Sequence, residues 1–189
     1  MSKKENLNFY TIDDKYIGYV SKYDKHIAYN KENKRPYVGI IFEINGFSYF
    51  SPMFSPKKQH ELYKENLTFF KMYGNNKSDY LGLIKFADMI PVPKDSIQKL
   101  EFKNYFRPYN MLLVKQYNYI NIPENRIRIK EKAKRLYEII NSGKEGKTAL
   151  FYKGLCCNFR LLEEKMNDYL KKQWCVKIQK SLIILSKIT

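Results

Sequence analysis

Tyr37-Val38-Gly39-Ile40-Ile41-Phe42-Glu43-Ile44-Asn45-Gly46-Phe47-Ser48-Tyr49-Phe50 decides how the first half of this 189-residue chain is read. β-Branched and aromatic side chains crowd both ends, and such residues fit a pleated, half-buried surface. Between them sits Asn-Gly, the pair that accepts positive φ at both central positions of a two-residue hairpin turn. The sequence therefore predicts two antiparallel strands, residues 37–44 and 47–50, joined by a tight turn. Outward from this hairpin, Asn8 to Ile12 reads as a short strand. Leu67 to Tyr73 and Tyr80 to Phe86 repeat the pattern around the polar loop Gly74 to Asp79. Met89 to Val92 reads as an edge piece limited by Pro91 and Pro93.

The second half changes period. Tyr109, Leu113, Gln116, Tyr117 and Ile120 share one helical face, and Ile129, Ala133, Leu136, Tyr137 and Ile140 repeat that spacing. Arg126, Arg128, Lys130, Lys132, Lys134 and Arg135 fall mostly on the opposite side, as a solvated face or as contacts to RNA phosphates. Phe159, Leu162, Met166 and Tyr169 define a last amphipathic helix with Asn158 as its cap. Strands first and helices afterwards imply an α+β fold. Residues 1–170 read as one domain. Residues 171–189 form a lysine-rich extension with no acid and an apolar knot at Leu182 to Leu185; it could add a strand or helix, or fray.

With 44% apolar and 16% aromatic residues the chain can bury a core, so it is not a disordered polycation. Against 35 Lys+Arg stand 19 Asp+Glu, a net charge of +16. A field of that size concentrates polyanions, nucleic acid before anionic membrane. Met1 to Tyr10 has no apolar run, so no secretory leader is expected, and no uncharged run approaches the ~20 residues of a bilayer span. Three cysteines, two of them adjacent at Cys156 and Cys157, fit neither a disulfide framework nor a zinc site. The expected compartment is the reducing cytoplasm.

Ser55-Pro56-Lys57-Lys58-Gln59-His60 carries the chemistry. Serine is a favoured N-cap and proline a favoured first helical residue, so a helix is predicted over residues 56–65. Its unpaired N–H groups, with Lys57, Lys58 and His60, would make an anion seat suited to a phosphodiester. The plain alternative is a capped surface helix with solvated lysines. Gly143-Lys144-Glu145-Gly146-Lys147-Thr148 lacks the first glycine of a P-loop and follows a helix, so it reads as a C-cap and loop. His26 and His60 stand apart without acidic neighbours at ligand spacing, so neither metal nor cofactor is expected. The metal-free reaction that asks least of a basic protein is RNA cleavage by the substrate's own 2′-hydroxyl. The protein need only position that group, move its proton, stabilise the crowded phosphate and protonate the leaving 5′-oxygen. Aromatic–basic runs at Phe69-Phe70-Lys71-Met72-Tyr73 and Tyr105-Phe106-Arg107-Pro108-Tyr109 could grip single strands by stacking. The same rings could instead be core.

Several landmarks occur in order: Phe9-Tyr10-Thr11-Ile12-Asp13-Asp14-Lys15-Tyr16, the hairpin, Ser55-Pro56-Lys57-Lys58, Leu81-Gly82-Leu83-Ile84, Met89-Ile90-Pro91, and Cys157-Asn158-Phe159 with Leu161-Leu162-Glu163-Glu164-Lys165. Over roughly residues 8–170 the chain resembles the ToxN/AbiQ family, endoribonuclease toxins of type III toxin–antitoxin systems that act in abortive infection against phage. The resemblance implies a compact, strongly twisted antiparallel sheet flanked by helices, like the MazF/Kid toxins. It implies metal-independent cleavage of mRNA to a 2′,3′-cyclic phosphate. It also implies a repeat antitoxin RNA that folds as pseudoknots and assembles with the toxin into a closed protein–RNA oligomer. Family positions match Ser55, Lys57, Tyr16 and Tyr29. Two depart: Arg35 stands for a lysine, keeping charge but losing a titratable group, and Phe54 for a threonine.

The expected catalytic set is thus Ser55 and Lys57 on the phosphate, Arg35 on developing charge, and Tyr16 or His60 in proton transfer, with Lys57 a rival acid. Tyr10, Tyr29, Lys34, Lys58 and Arg107 are expected RNA contacts. A non-enzymatic RNA-binding module is the competing reading, and membrane attachment through the tail ranks below both.

Overall fold

The computed structural model describes residues 6–143 and 146–185. Its strands are β1 (Asn8–Ile12), β2 (Tyr37–Gly39), β3 (Glu43–Ile44), β4 (Phe47–Phe54), β5 (Phe69–Tyr73), β6 (Tyr80–Lys85), β7 (Ile90–Pro91) and β8 (Ile97–Lys99). Its helices are α1 (Asp14–Val20), α2 (Lys58–Glu61), α3 (Arg107–Asn121), α4 (Pro123–Asn141), α5 (Lys147–Leu155) and α6 (Phe159–Leu185). The expected α+β class holds. All pairings are antiparallel, in the order β5-β6-β4-β2-β1-β8, with β3 and β7 also pairing with β4.

The Asn-Gly hairpin forms as read. Asn45 and Gly46 have φ of 50° and 82°, and Ile44 pairs with Phe47. Both central residues are left-handed, which matches the turn's twist to that of its strands. The run 37–44 is nevertheless not one strand. It breaks after Gly39, where the Phe50 ring occupies the space a Cβ would need, 2.1 Å from its Cδ1. Beyond the break, Ile41 N donates to Tyr49 O at 3.0 Å and pairing resumes at β3. β4, in turn, runs four residues past the expected end and becomes the spine of the sheet.

The helical periodicity appears as α3 and α4, whose inward residues Leu113, Ile120, Ile129, Ala133 and Leu136 are fully buried. α3 lies over β5 and β6, while α6 meets α1 and β7. Asn158 caps α6 through its side-chain oxygen, 3.2 Å from Leu161 N. Among these layers Tyr49 and Tyr137 both donate to Glu163 Oε1 at 2.8 Å, so the polar centre of an aromatic core is paired.

Four local readings change. α2 is a single turn, not residues 56–65: Lys57 is extended (φ −140°, ψ 137°) and no side chain caps the helix. Short helices gain little from propensity, and here tertiary bonds win. Buried Lys71 donates to Glu61 O (2.6 Å) and Tyr63 O (2.8 Å), drawing the chain out of helix and down onto β5. α1, β8 and α5 are additional, each too short or too weakly patterned to stand out. The lysine-rich extension continues α6 to Leu185, which includes the apolar knot; residues 186–189 lie outside the described residues. Gly143, with φ of 72°, does follow the end of α4, while 144 and 145 lie outside them too.

Candidate active site

Antiparallel register assembles the site. Tyr37 pairs with Pro52 and Val38 with Ser51. Two residues further out, that register sets Arg35 opposite Phe54. On the other flank Phe54 pairs with Leu83, which brings Gly82 beside Ser55. Ser55 therefore leaves the sheet between two neighbouring chains, exposed, one residue beyond β4.

Arg35 is fixed there. Its guanidinium carbon lies 4.5 Å from the centroid of the Phe54 ring. Nε donates to Tyr29 O at 2.5 Å and Nη1 to Met53 O at 3.3 Å, with the residue only 6% exposed. Two of five donors are so committed, leaving the rest of the fork for an anion. Two residues on the other side of Ser55, Lys57 is exposed, and Lys31 is exposed on the preceding loop. The Lys31 ammonium is held below its ordinary value by burial and by the charges of Arg35 and Lys57. Among the described residues, none of these three cations forms an ion pair with a carboxylate.

Lys85 completes the floor. Its Nζ is 5.8 Å from the Phe54 centroid and 2.9 Å from Asp88 Oδ1. Asp88 is buried, which raises its carboxyl above the usual range against the pull of Lys85. That pair is internally balanced, so the excess charge sits at Lys31, Arg35 and Lys57.

The loop bearing Lys31 is held under strain. Lys31, Glu32 and Asn33 have φ of 54°, 55° and 61°, a left-handed run costly for side chains with a Cβ. Asn33 Oδ1 accepts from Asp14 N (2.6 Å), and Asn30 Nδ2 donates to Ile12 O and Asp14 Oδ1 (2.7 Å each). The start of α3 borders the site from a third direction. Tyr109 is raised by burial and by Tyr105, and lowered by the charge of Arg35. Its ring meets Tyr105 edge-on at 5.5 Å, and Phe106 next to Arg107 is 75% exposed.

The predicted residues therefore separate. Ser55, Lys57 and Arg35 come together, but Ser55 caps no helix, so the three side chains meet at a strand end rather than at the expected helix terminus. Tyr29, 70% exposed, stands at the rim through its carbonyl on Arg35. Lys58 opens α2 and Arg107 opens α3, both exposed. Lys34 is exposed with its ammonium 3.7 Å from Glu32. Tyr10 lies in β1 opposite Tyr37, half-buried and edge-on to Phe50.

Tyr16 is fully buried in α1, and its hydroxyl donates to Pro91 O at 2.5 Å. Burial raises its hydroxyl far above the ordinary value, so it is a core residue and a poor proton carrier. His60 is 6% exposed, and burial followed by the charges of Lys57 and Lys85 lowers its proton affinity. Its ring lies between Phe54 and Tyr63 (6.3 and 5.4 Å) as a wall group. Phe70 to Met72 are buried core, not a stacking surface, while Phe69 turns one face to a cavity beside His60. Lys31 and Lys85 carry no sequence signal; both reach the site only through the fold. Among the described residues no group of three or more His, Cys, Asp or Glu could hold a metal ion. Nor, among them, is any helix long and apolar enough to cross a membrane.

Comparison with known proteins identifies the family and the fold. Residues 8–167 match the family model of the toxin ToxN of type III toxin–antitoxin systems. The chain is 33% identical over 175 residues to an endoribonuclease ToxN of Bacillus thuringiensis subsp. kurstaki, covering 89% of this chain and 87% of that protein. It superposes with a TM-score of 0.77 and 31% identity on a structure from a type III system with selective toxin inhibition by a non-coding RNA pseudoknot, covering 87% of this chain and 98% of the other. AbiQ, a lactococcal anti-phage endoribonuclease of a type III system, superposes with a TM-score of 0.76 at 29% identity, covering 88% and 99%. This chain belongs to the ToxN toxin family of type III toxin–antitoxin systems.

Proposed function

We propose that this chain is a metal-independent endoribonuclease that cuts single-stranded RNA by attack of the 2′-hydroxyl on the adjacent phosphate. The products are a 2′,3′-cyclic phosphate and a free 5′-hydroxyl. The observation that carries this reading is the cluster of Lys31, Arg35 and Lys57, without a carboxylate partner among the described residues, beside the exposed Ser55. Ser55 and Lys57 hold the scissile phosphate, and Arg35, already oriented by two carbonyls, opposes the charge that develops on it. With the Tyr16 hydroxyl locked on Pro91 O and His60 turned to the cavity beyond Phe54, proton transfer falls to Lys57 and Lys31, the latter giving up its proton more readily than an isolated lysine. Tyr29, Phe106, Arg107 and Tyr109 offer rings and charge to the strand on either side.

As a toxin, the protein cuts mRNA in the cytoplasm and is inhibited by a repeat RNA folded as pseudoknots, with which it closes into a protein–RNA oligomer. Its relatives' names and the family assignment support this. Residues 1–170 carry the activity and 171–189 are an addition to it.

The test is labelled RNA incubated with purified protein in excess EDTA. Discrete cuts with cyclic-phosphate ends are expected, and Ser55→Ala and Lys57→Ala should abolish both cleavage and growth arrest while remaining folded. RNA that stays intact yet binds with steep salt dependence would establish a non-enzymatic binding module instead.

A further inference from the structure

Beside the cation cluster, on the far side of Phe54, lies a cavity of about 360 Å³ that the phosphate chemistry leaves unused. Its walls are Phe54, Tyr63 and Phe69, with His60, Asn66 and Lys85 around them. Tyr63 and Phe69 are tilted rings 5.8 Å apart, and Tyr63 meets His60 at 5.4 Å. Aromatic walls with a basic neighbour are what an unstacked nucleobase seeks, and single-stranded RNA is read by bases splayed into such sites.

The cavity is built rather than incidental. Lys71 holds the backbone of Glu61 and Tyr63 from below, as noted above, and Lys132 ties Glu65 and Phe69 O at 2.9 Å each. Asn66 is committed to its own loop, accepting from Thr68 N (2.8 Å) and Thr68 Oγ1 (2.6 Å). His60 is different. It is more than nine-tenths buried, and its Nδ1 has no hydrogen-bond partner among the described residues. Buried polar atoms are nearly always paired, and this one is closed to water as the cavity stands, so it meets a ligand when the ring turns. Phe54 is shared between the two places: Arg35 and Lys85 both lie over its ring, which also closes the cavity. A phosphate on Arg35 and Lys57 therefore leaves its neighbouring base within reach of the opening.

We propose that this cavity is the socket for one unstacked nucleobase flanking the scissile phosphate, gripped by Tyr63, Phe54 and Phe69, with the His60 ring in its wall. It is the element that selects where the strand is cut. The inference rests on the reading of the adjoining site as an RNA-cleaving one.

The experiment uses short RNAs with one defined phosphodiester, intact or with an abasic residue on its 5′ or 3′ side. Each is prepared in cleavable form and in uncleavable form, with 2′-deoxy at the scissile position. Removal of the base on one side should weaken both binding of the uncleavable RNA and kcat/KM by about tenfold or more. Tyr63→Phe should keep that dependence. Tyr63→Ala, a change at a 45% exposed ring, should bind intact and abasic RNA alike. Equal affinity of the native protein for intact and abasic RNA at both positions would overturn the socket, as would an undiminished preference in Tyr63→Ala. The binding arm stands even if no RNA is cut, a result that would instead defeat the cleavage reading.

Discussion

Replacing Gly82 by alanine tests whether the active site depends on the backbone contact between β6 and the end of β4. Gly82 has φ of +110°, and a Cβ there would lie 2.2 Å from Phe54 O and 3.2 Å from Ser55 C. The conformation alone costs an L-residue about 1–2 kcal/mol. The clash is with backbone, which cannot swing aside, so overpacking adds about 1–3 kcal/mol. The total, about 2–5 kcal/mol, is taken up by moving Phe54 and Ser55 away from β6. Arg35 rests on that ring, so its guanidinium moves with it. A misplacement near 1 Å can cost catalysis about a hundredfold. Two other glycines separate the terms. Gly46 has φ of +82° but nothing within 4 Å of a Cβ, so Gly46→Ala should show strain alone. Gly18 lies in α1, also with open space, and Gly18→Ala should stabilise by roughly 0.5–1 kcal/mol. Urea titrations of the three variants should rank Gly18→Ala above native, then Gly46→Ala, then Gly82→Ala. RNA cleavage, measured where all are folded, should collapse in Gly82→Ala only. If Gly82→Ala matches Gly46→Ala within about 0.5 kcal/mol and cuts RNA normally, the site does not depend on this contact.

Lys71→Met should cost about 2 kcal/mol or more, because the Glu61 and Tyr63 carbonyls lose a charged donor; urea midpoints give the loss, and base preference in cleavage should fade with it. His60 titrates below its ordinary 6.5 in the fold, so on acidification the unfolded chain takes up its proton first. Stability should therefore fall as pH drops through 6.5 and go on falling until the native imidazole is also protonated. Urea midpoints between about pH 8 and about pH 5 should show that slope flattened in His60→Gln; an unchanged slope would mean another group sets it. Removal of residues 171–189 should leave melting temperature and cleavage nearly unchanged, since Trp174 and Val176 are 68% and 50% exposed and the family match ends at 167. A large loss of melting temperature would show that the extension belongs to the core.

What the sequence determined by itself was whatever repeats within one element. Alternating apolar residues around Asn45-Gly46 announce the hairpin, and three- and four-residue spacing announces α3, α4 and the start of α6, because those patterns report which face each element buries. That Ser55 and Lys57 stand together was also readable, since they lie two residues apart. Only the tertiary structure decided what surrounds them. Register across β2 and β4 carries Arg35 to Phe54, a strained loop delivers Lys31, and β6 supplies Lys85 and the glycine that lets it approach. Burial then sorted the alternatives: Tyr16 and His60 look as polar in sequence as Lys57, yet one is locked on Pro91 O and the other walls a cavity. Burial and long-range pairing depend on residues tens of positions away, and no local pattern encodes them.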